Sequence, residues 1–332
     1  MNMSMPRRPL GKAGISMPLM AFGASGLGSV TPAAAIETVH AALAAGIDHV
    51  DTAPFYGLGE SERRLRPALA QTTLPFTLST KVGRLLRPGN DGQTQPVFDY
   101  SYAGAEQSLD ESCVRLGRDR VDLAILHDVS RRFHGERTDA VFDEALAGAY
   151  RAMVDWRRGG RVKAIGIGVN DCTTCLRALR EADFDFLLLA GRITLLDHEG
   201  FDQVLPEAQA RGVGVIAAAP FNSGILAIGA QPGAAFFYEP ASPEIMDRTR
   251  RIEAVCERHQ VPLPAAALQF PLLHPAVASV LAGYRSVVEV RHNLAHAQHV
   301  IPAAFWDELR AAGLLAASVA LPNCQTGLRN AG

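Results

Sequence analysis

Val50-Asp51-Thr52-Ala53-Pro54-Phe55-Tyr56-Gly57-Leu58-Gly59-Glu60 places an acid and a phenol where a β-prone run gives way to a loop. Two later runs end in the same manner. Phe76-Thr77-Leu78-Ser79-Thr80-Lys81 closes on an ammonium, and Val121-Asp122-Leu123-Ala124-Ile125-Leu126-His127 closes on an imidazole. Apolar runs of strand length mark strands buried on both faces, as in parallel sheets covered by helices. Three such strands, each ending in a polar group, deliver those groups to one rim.

The same pattern continues outward. Strands are expected at Leu19–Gly23, His49–Thr52, Thr77–Lys81, Leu123–His127, Ala164–Val169, Phe186–Ala190, Val213–Ala218 and Ser279–Ala282. Helical segments fall between and after them, at Ala33–Ala45, Glu60–Ala70, Tyr102–Leu116, Asp143–Arg158, Cys172–Glu181, Phe201–Arg211, Pro243–His259 and Val287–Ala297. Thr31-Pro32 opens the first helix, and Gly46 and Gly212 close others. Eight β-α units with strands this apolar predict an α/β fold, a (β/α)8 TIM barrel. No linker divides it, so residues 1–332 read as one domain with an N-terminal extension and a C-terminal loop near the active site. An open nucleotide-binding sheet would want G-x-G-x-x-G after the first strand. Gly23-Ala24-Ser25-Gly26-Leu27-Gly28 has its glycines at other spacings and reads as a loop at the barrel mouth.

Composition bounds the function. With 48% hydrophobic and 20% charged residues, the chain has ample core for a soluble protein. A net charge of −2 with scattered basic residues gives no electrostatic reason to bind nucleic acid or an anionic membrane. The stretch from Met17 to Leu27 is interrupted by Pro18, Gly23 and Gly26, and no run of about twenty apolar residues follows. No leader and no membrane span are expected, and the location is expected to be cytoplasmic. Five cysteines suggest no disulfide framework. Cys172 and Cys175 form a C-x-x-C, but Asp171-Cys172-Thr173-Thr174 reads as a helix start rather than a redox pair or metal half-site. His292, His296 and His299 read as a solvated helix face, and no metal is expected.

In a barrel the ends of strands two, three and four open on the same face, so Asp51, Tyr56, Lys81 and His127 are expected to converge. A free phenol near pKa ~10 needs help to move protons at neutral pH. An ammonium beside it favours tyrosinate, and an aspartate holds and balances that ammonium. A neutral His127 would orient the reacting oxygen.

Asp51-Thr52-Ala53-x-x-Tyr56-Gly57-x-x-Glu60, with Lys81 and His127 at strand ends and Leu10-Gly11-Lys12-x-Gly14 upstream, resembles the aldo-keto reductases over nearly the whole chain. The resemblance implies NAD(P) extended across the C-terminal rim. It makes Tyr56 the proton donor or acceptor, Lys81 its tuner, Asp51 the support of Lys81, and His127 the substrate-orienting group. Gly23, Asp51, Asn170, Phe221, Ser223, Gly224, Gly283, Arg285, Glu289 and Asn293 are the implied cofactor residues. Glu289 stands where enzymes using NADP often carry a base, so NAD is expected to be preferred, with NADP possible; Arg285 pulls the other way. Val169, Ala190 and Ala218 depart from the family's usual serine, glutamine and nicotinamide-stacking aromatic.

Leu126-His127-Asp128, Ala190-Gly191-Arg192-x-Thr194-Leu195-Leu196 and Ala218-Ala219-Pro220-Phe221-Asn222-Ser223-Gly224 resemble one branch of the family. That branch includes D-threo-aldose 1-dehydrogenase (L-fucose dehydrogenase), L-galactose dehydrogenase and pyridoxal 4-dehydrogenase. Ile193 stands where this branch is expected to carry tyrosine. The resemblance implies a small-molecule partner, a sugar or pyridoxal hemiacetal oxidised to a lactone, with Tyr56 held partly ionised as the base. Phe55, Asp128 and Arg192 are expected in the pocket, although Asp128 and Arg192 could instead pair with each other. The tail from Leu314 to Gly332 is expected to act as a lid. The competing functions are NADPH-dependent carbonyl reduction and a non-catalytic redox-sensing subunit.

Overall fold

The computed structural model describes residues 5–321. Eight parallel strands close into a barrel in chain order: β1 (Met20–Gly23), β2 (His49–Asp51), β3 (Thr77–Val82), β4 (Leu123–His127), β5 (Ala164–Val169), β6 (Phe186–Ala190), β7 (Gly214–Ala218) and β8 (Val277–Gly283). The last pairs with the first, Val280 opposite Met20 through Gly283 opposite Gly23. Alternation along each strand splits the apolar residues into two cores. Leu123, Ile125, Ala164, Phe186 and Ile216 fill the barrel interior, while Ala124, Leu126, Ile165, Leu187 and Ala217 face the helices. Gly166 makes room inside, since a Cβ there would lie 2.6 Å from the Phe186 ring.

Arg7–Pro9 and Ser16–Pro18 form an antiparallel hairpin ahead of β1. Its Leu10 and Met17 are fully buried in the interior core and plug the floor of the barrel. Gly11 is required at the turn: its φ is +51°, and a Cβ would meet the Gly214 nitrogen at 2.3 Å.

The outer ring is α1 (Pro32–Ala44), α2 (Glu60–Ala70), α3 (Tyr102–Leu116), α4 (Ala149–Arg158), α5 (Cys172–Glu181), α6 (Leu205–Ala210), α7 (Leu263–Gln269) and α8 (Val287–Gln298). Thr31, Ser101, Asp171 and Ser286 cap α1, α3, α5 and α8 through their side-chain oxygens. The expected helix at Asp143–Arg158 is two helices, because Gly148 breaks it and a Cβ there would strike the Tyr100 carbonyl at 2.3 Å. The expected helix at Phe201–Arg211 opens with a π turn over Gly200–Val204. The seventh unit is closed by the short α7, which sequence patterning missed, while Pro243–His259 is an added helix packed on Ala303–Ala311.

A further hairpin, Arg84–Pro88 with Thr94–Phe98, extends past β3. Of the expected lid, Leu314 to Leu321 lies among the described residues and docks near the β6 loop, where the Ala316 nitrogen donates to His198 and Ser318 bonds Asp202. Residues 322–332 lie outside the described residues. No described helix is long and apolar enough to cross a membrane.

Candidate active site

At the C-terminal ends of β2, β3 and β4 the four expected residues come together. Asp51 and Lys81 are each 1% exposed and form an ion pair. A second Asp51 oxygen accepts from the Ser79 hydroxyl at 2.7 Å, and Lys81 also donates to the Thr52 carbonyl at 2.8 Å. Burial opposes the Lys81 charge, but Asp51 and Tyr56 outweigh it and raise the ammonium above its ordinary pKa. A carboxylate and an ammonium sealed this completely persist only as a hydrogen-bonded pair.

The turn Ala53–Tyr56 carries the phenol back over β3, so that the Lys81 nitrogen lies 4.7 Å from the Tyr56 ring centre. Ser61 at the start of α2 staples this loop by bonding Thr52 at 2.9 Å and the Ala24 carbonyl at 2.7 Å. The next residue, Glu62, is buried; it accepts from Thr80 and pairs with Arg115. Thr80 therefore points to the helices while its neighbour Lys81 points to the site, as strand alternation requires.

Tyr56 corrects one expectation. Burial pushes its phenol up to about 12, and Lys81 pulls it down without overcoming that effect. The free protein therefore holds a neutral phenol rather than a partly ionised one. His127 stands with its ring perpendicular to Tyr56, the centres 6.2 Å apart. Burial, then Lys81 and Arg84, lower His127 well below the usual imidazole range, so it is neutral. Its Nδ1 is buried without a partner among the described residues, which leaves Nε2 as the nitrogen that opens to the site.

Arg84 was missed by sequence reasoning. Gly83, at φ +101°, turns the chain beneath Tyr100 and sends the Arg84 side chain back between Phe55 and Asp128. The guanidinium is buried 3.5 Å from the Phe55 ring centre, with Phe98 at 4.7 Å and Phe133 at 4.9 Å, and it forms an ion pair with Asp128. The available signal was an arginine three residues beyond Lys81, past a glycine.

Arg192 does not pair with Asp128. It bonds Asp197 at 2.9 Å and the Asn170 carbonyl at 2.9 Å, and stacks on Phe237 at 4.1 Å. These contacts brace the β5 and β6 ends. Ile193, which stands in place of the expected tyrosine, is a core residue beneath Gly200. Ala190 and Ala218 are paired in register at the β6–β7 rim, where their small side chains leave space.

The expected cofactor residues lie around the rim in two groups. Gly23 pairs with Gly283, Arg285 packs over Gly26, and Glu289 and Asn293 follow on α8. Asn170 lies at the β5 end, and Phe221, Ser223 and Gly224 lie beyond β7. Two observations fit a dinucleotide between the groups: the Asn170 side-chain amide has no partner among the described residues, and the Asn222 Oδ1 is buried and orphaned. Glu289 is committed to its own helix start, accepting from the Arg285 backbone nitrogen at 2.7 Å and contacting its guanidinium at 3.3 Å.

Non-glycine residues with positive φ concentrate at this mouth, at Leu58, Asp128, Ala219, Asn222, Ser223, Phe237 and Tyr238. Such conformations persist where surrounding structure enforces them, commonly at functional sites. A groove of about 520 Å³ lined by Glu244, Asp247, Arg248 and Arg251 lies elsewhere, and none of the four convergent residues lines it. Cys172 and Cys175 are buried and their thiols are pushed up by burial, which suits core packing rather than redox exchange. Among the described residues no three His, Cys, Asp or Glu side chains are placed to hold a metal ion.

The aldo/keto reductase family model matches residues 19–313. Pyridoxal 4-dehydrogenase of Microbacterium luteolum is 38% identical over 93% of this chain and 98% of that protein. D-threo-aldose 1-dehydrogenase of a Pseudomonas species is 40% identical over 91% of this chain and 96% of that protein. Among solved structures, an aldo-keto reductase from Bacillus halodurans in its holo form superposes with a TM-score of 0.77 at 23% identity, covering 96% of this chain and 98% of that one, a likeness of fold.

Proposed function

Because the chain belongs to the aldo/keto reductase family, whose members use nicotinamide cofactors, we propose that it oxidises the anomeric carbon of an aldose hemiacetal to a lactone, with NAD as the preferred oxidant. The observation that carries this reading is the sealed Asp51–Lys81 pair beneath Tyr56, facing a neutral His127. Such a set moves one proton and orients one oxygen, which is what a hydride transfer at carbon requires of its protein. The names of the two relatives, an aldose and a pyridoxal dehydrogenase, support the oxidative direction.

The bonds balance simply. The ionised form of Tyr56, having first released its own proton to solvent, takes the proton of the anomeric hydroxyl; the anomeric C–H bond breaks with its electron pair leaving as hydride, and a C=O bond forms. A nicotinamide cofactor held at this rim would supply the hydride acceptor, and its positive charge would add to the pull of Lys81 on the phenol. His127 orients the hydroxyl through Nε2, and Asp51 keeps Lys81 charged and fixed. Asn170 would hold the carboxamide, the Phe221–Gly224 loop the pyrophosphate, and Gly283, Arg285 and Asn293 the adenosine end. The bond from Glu289 to the Arg285 backbone occupies a donor, and its charge opposes a 2′-phosphate, which supports NAD over NADP.

One observation favours a second reading. A phenol pushed up to about 12 is better supplied with a proton to give than with a charge to accept one, as reduction of a carbonyl by NADPH would require. NADH formation over L-fucose, D-arabinose, L-galactose and pyridoxal, repeated with NADP, separates the readings. Turnover of aldoses with NAD is expected; turnover only of aldehydes with NADPH would exclude the dehydrogenase.

A further inference from the structure

The Arg84–Asp128 pair is not needed by the proton relay, yet it is built into its edge. Asp128 adopts φ +59°, a conformation tolerated by a short polar residue, and this turns its carboxylate back over the end of β4. One oxygen, Oδ2, takes the Arg84 ion pair and lies 3.4 Å from His127 Nε2, the nitrogen that opens to the site. The other, Oδ1, has no partner among the described residues and is not sealed, since the side chain keeps 14% exposure. Burial raises the Asp128 carboxyl above the usual carboxylate range; Arg84 opposes this, and their ion pair is the contact that holds the charged form. Arg84 is itself fixed on Phe55, one residue before Tyr56. The carboxylate is therefore held at a defined place beside His127 Nε2, the nitrogen that would orient the reacting oxygen.

An ionised carboxylate oxygen can only accept hydrogen bonds. Its place beside His127 puts within reach the substituent on the carbon next to the one oxidised. In an aldose that substituent is the C2 hydroxyl, a donor. In pyridoxal the neighbouring carbon belongs to the aromatic ring and carries no hydroxyl; the nearest oxygen, one carbon further on, is a phenolate at neutral pH, which a carboxylate repels.

We propose that Asp128 Oδ1 is a specificity-determining acceptor for the hydroxyl vicinal to the anomeric carbon, and that Arg84 is the positioning residue that holds it. The pair selects aldoses over pyridoxal. This rests on the hemiacetal-oxidation reading above. A site built around a substrate hydroxyl discriminates against the analogue lacking it, because its own polar group is left unpaired.

The test compares kcat/KM with NAD for D-arabinose and 2-deoxy-D-ribose, which differ only in the C2 hydroxyl, and for L-fucose and 2-deoxy-L-fucose. In the wild type the 2-hydroxy sugar of a pair is expected to be preferred by on the order of 10- to 100-fold. Asp128→Asn, which turns an acceptor-only group into a mixed donor and acceptor, should shrink that ratio at least tenfold. Arg84→Met should shrink it too, and Arg84→Lys should restore part of it, which a general loss of folding would not do. Equal use of both sugars of a pair by the wild type, or an unchanged ratio in Asp128→Asn, overturns the proposal. If no hemiacetal is oxidised at all, the failure lies with the function rather than with this pair.

Discussion

At Tyr56 two effects act on one phenol, and burial exceeds the Lys81 charge. Its pKa near 12 means that the tyrosinate able to take a proton grows as pH rises. The kcat/KM for oxidation is therefore expected to climb steadily from pH 7 to 10 while reduction, which uses the neutral phenol, stays nearly level, and a flat oxidation profile would contradict this assignment. Tyr56→Phe removes the base and should lower kcat by about 10²- to 10⁴-fold. NAD binding, followed by fluorescence titration, should survive. The tetrad was readable from the sequence because Asp51, Lys81 and His127 stand at the ends of buried strands and Tyr56 follows the first of them in the adjoining loop. Arg84 was not, since its importance comes from Phe55 and Asp128, which only folding brings to it. The ionisation of Tyr56 was likewise misjudged, because spacing reveals a neighbouring charge but not the loss of water around it.

At the scale of elements, the start of α8 joins stability to cofactor choice. Ser286 and Glu289 satisfy backbone donors at the helix start, and the same Glu289 carboxylate would oppose a 2′-phosphate. Glu289→Gln keeps a hydrogen-bonding cap and removes the charge, so the ratio of kcat/KM with NADP to that with NAD should rise about tenfold. Glu289→Ala should also cost about 1 kcal/mol of stability in denaturant unfolding. The N-terminal hairpin gives a contrasting case. Leu10 fills the barrel floor, at the opposite end from Tyr56, so Leu10→Ala is expected to cost about 2–5 kcal/mol. The kcat of the enzyme that remains folded should change little. Strands and capped helices were legible in advance because their periods and caps are local. The split at Gly148 was not, since it depends on a close approach to Tyr100 from another unit.

The closed barrel buries histidines as well as apolar chains, and this sets the acid stability of the whole molecule. His49 is fully buried between Thr77 and Ser79, and burial lowers its pKa to about 4. Below about pH 6.5 the unfolded chain binds a proton that the native imidazole refuses, so stability falls with falling pH. By pH 5, His49 alone should account for about 2 kcal/mol. His127 and His198 are lowered in the same direction and add to the loss. Urea unfolding at pH 7.5 and pH 5 checks this, and His49→Asn should reduce the difference by about 2 kcal/mol, leaving the share of His127 and His198. Equal stability at the two pH values would contradict it.

The sequence by itself determined the barrel and the meeting of Asp51, Tyr56, Lys81 and His127, because alternation, strand length and strand-end residues follow from hydrophobic burial along a single chain. Tertiary structure decided what those residues are able to do. It left Tyr56 neutral and paired Asp128 with Arg84 instead of Arg192. Each outcome depends on distance and dielectric between segments far apart in the chain, where removal of water strengthens some charges and suppresses others.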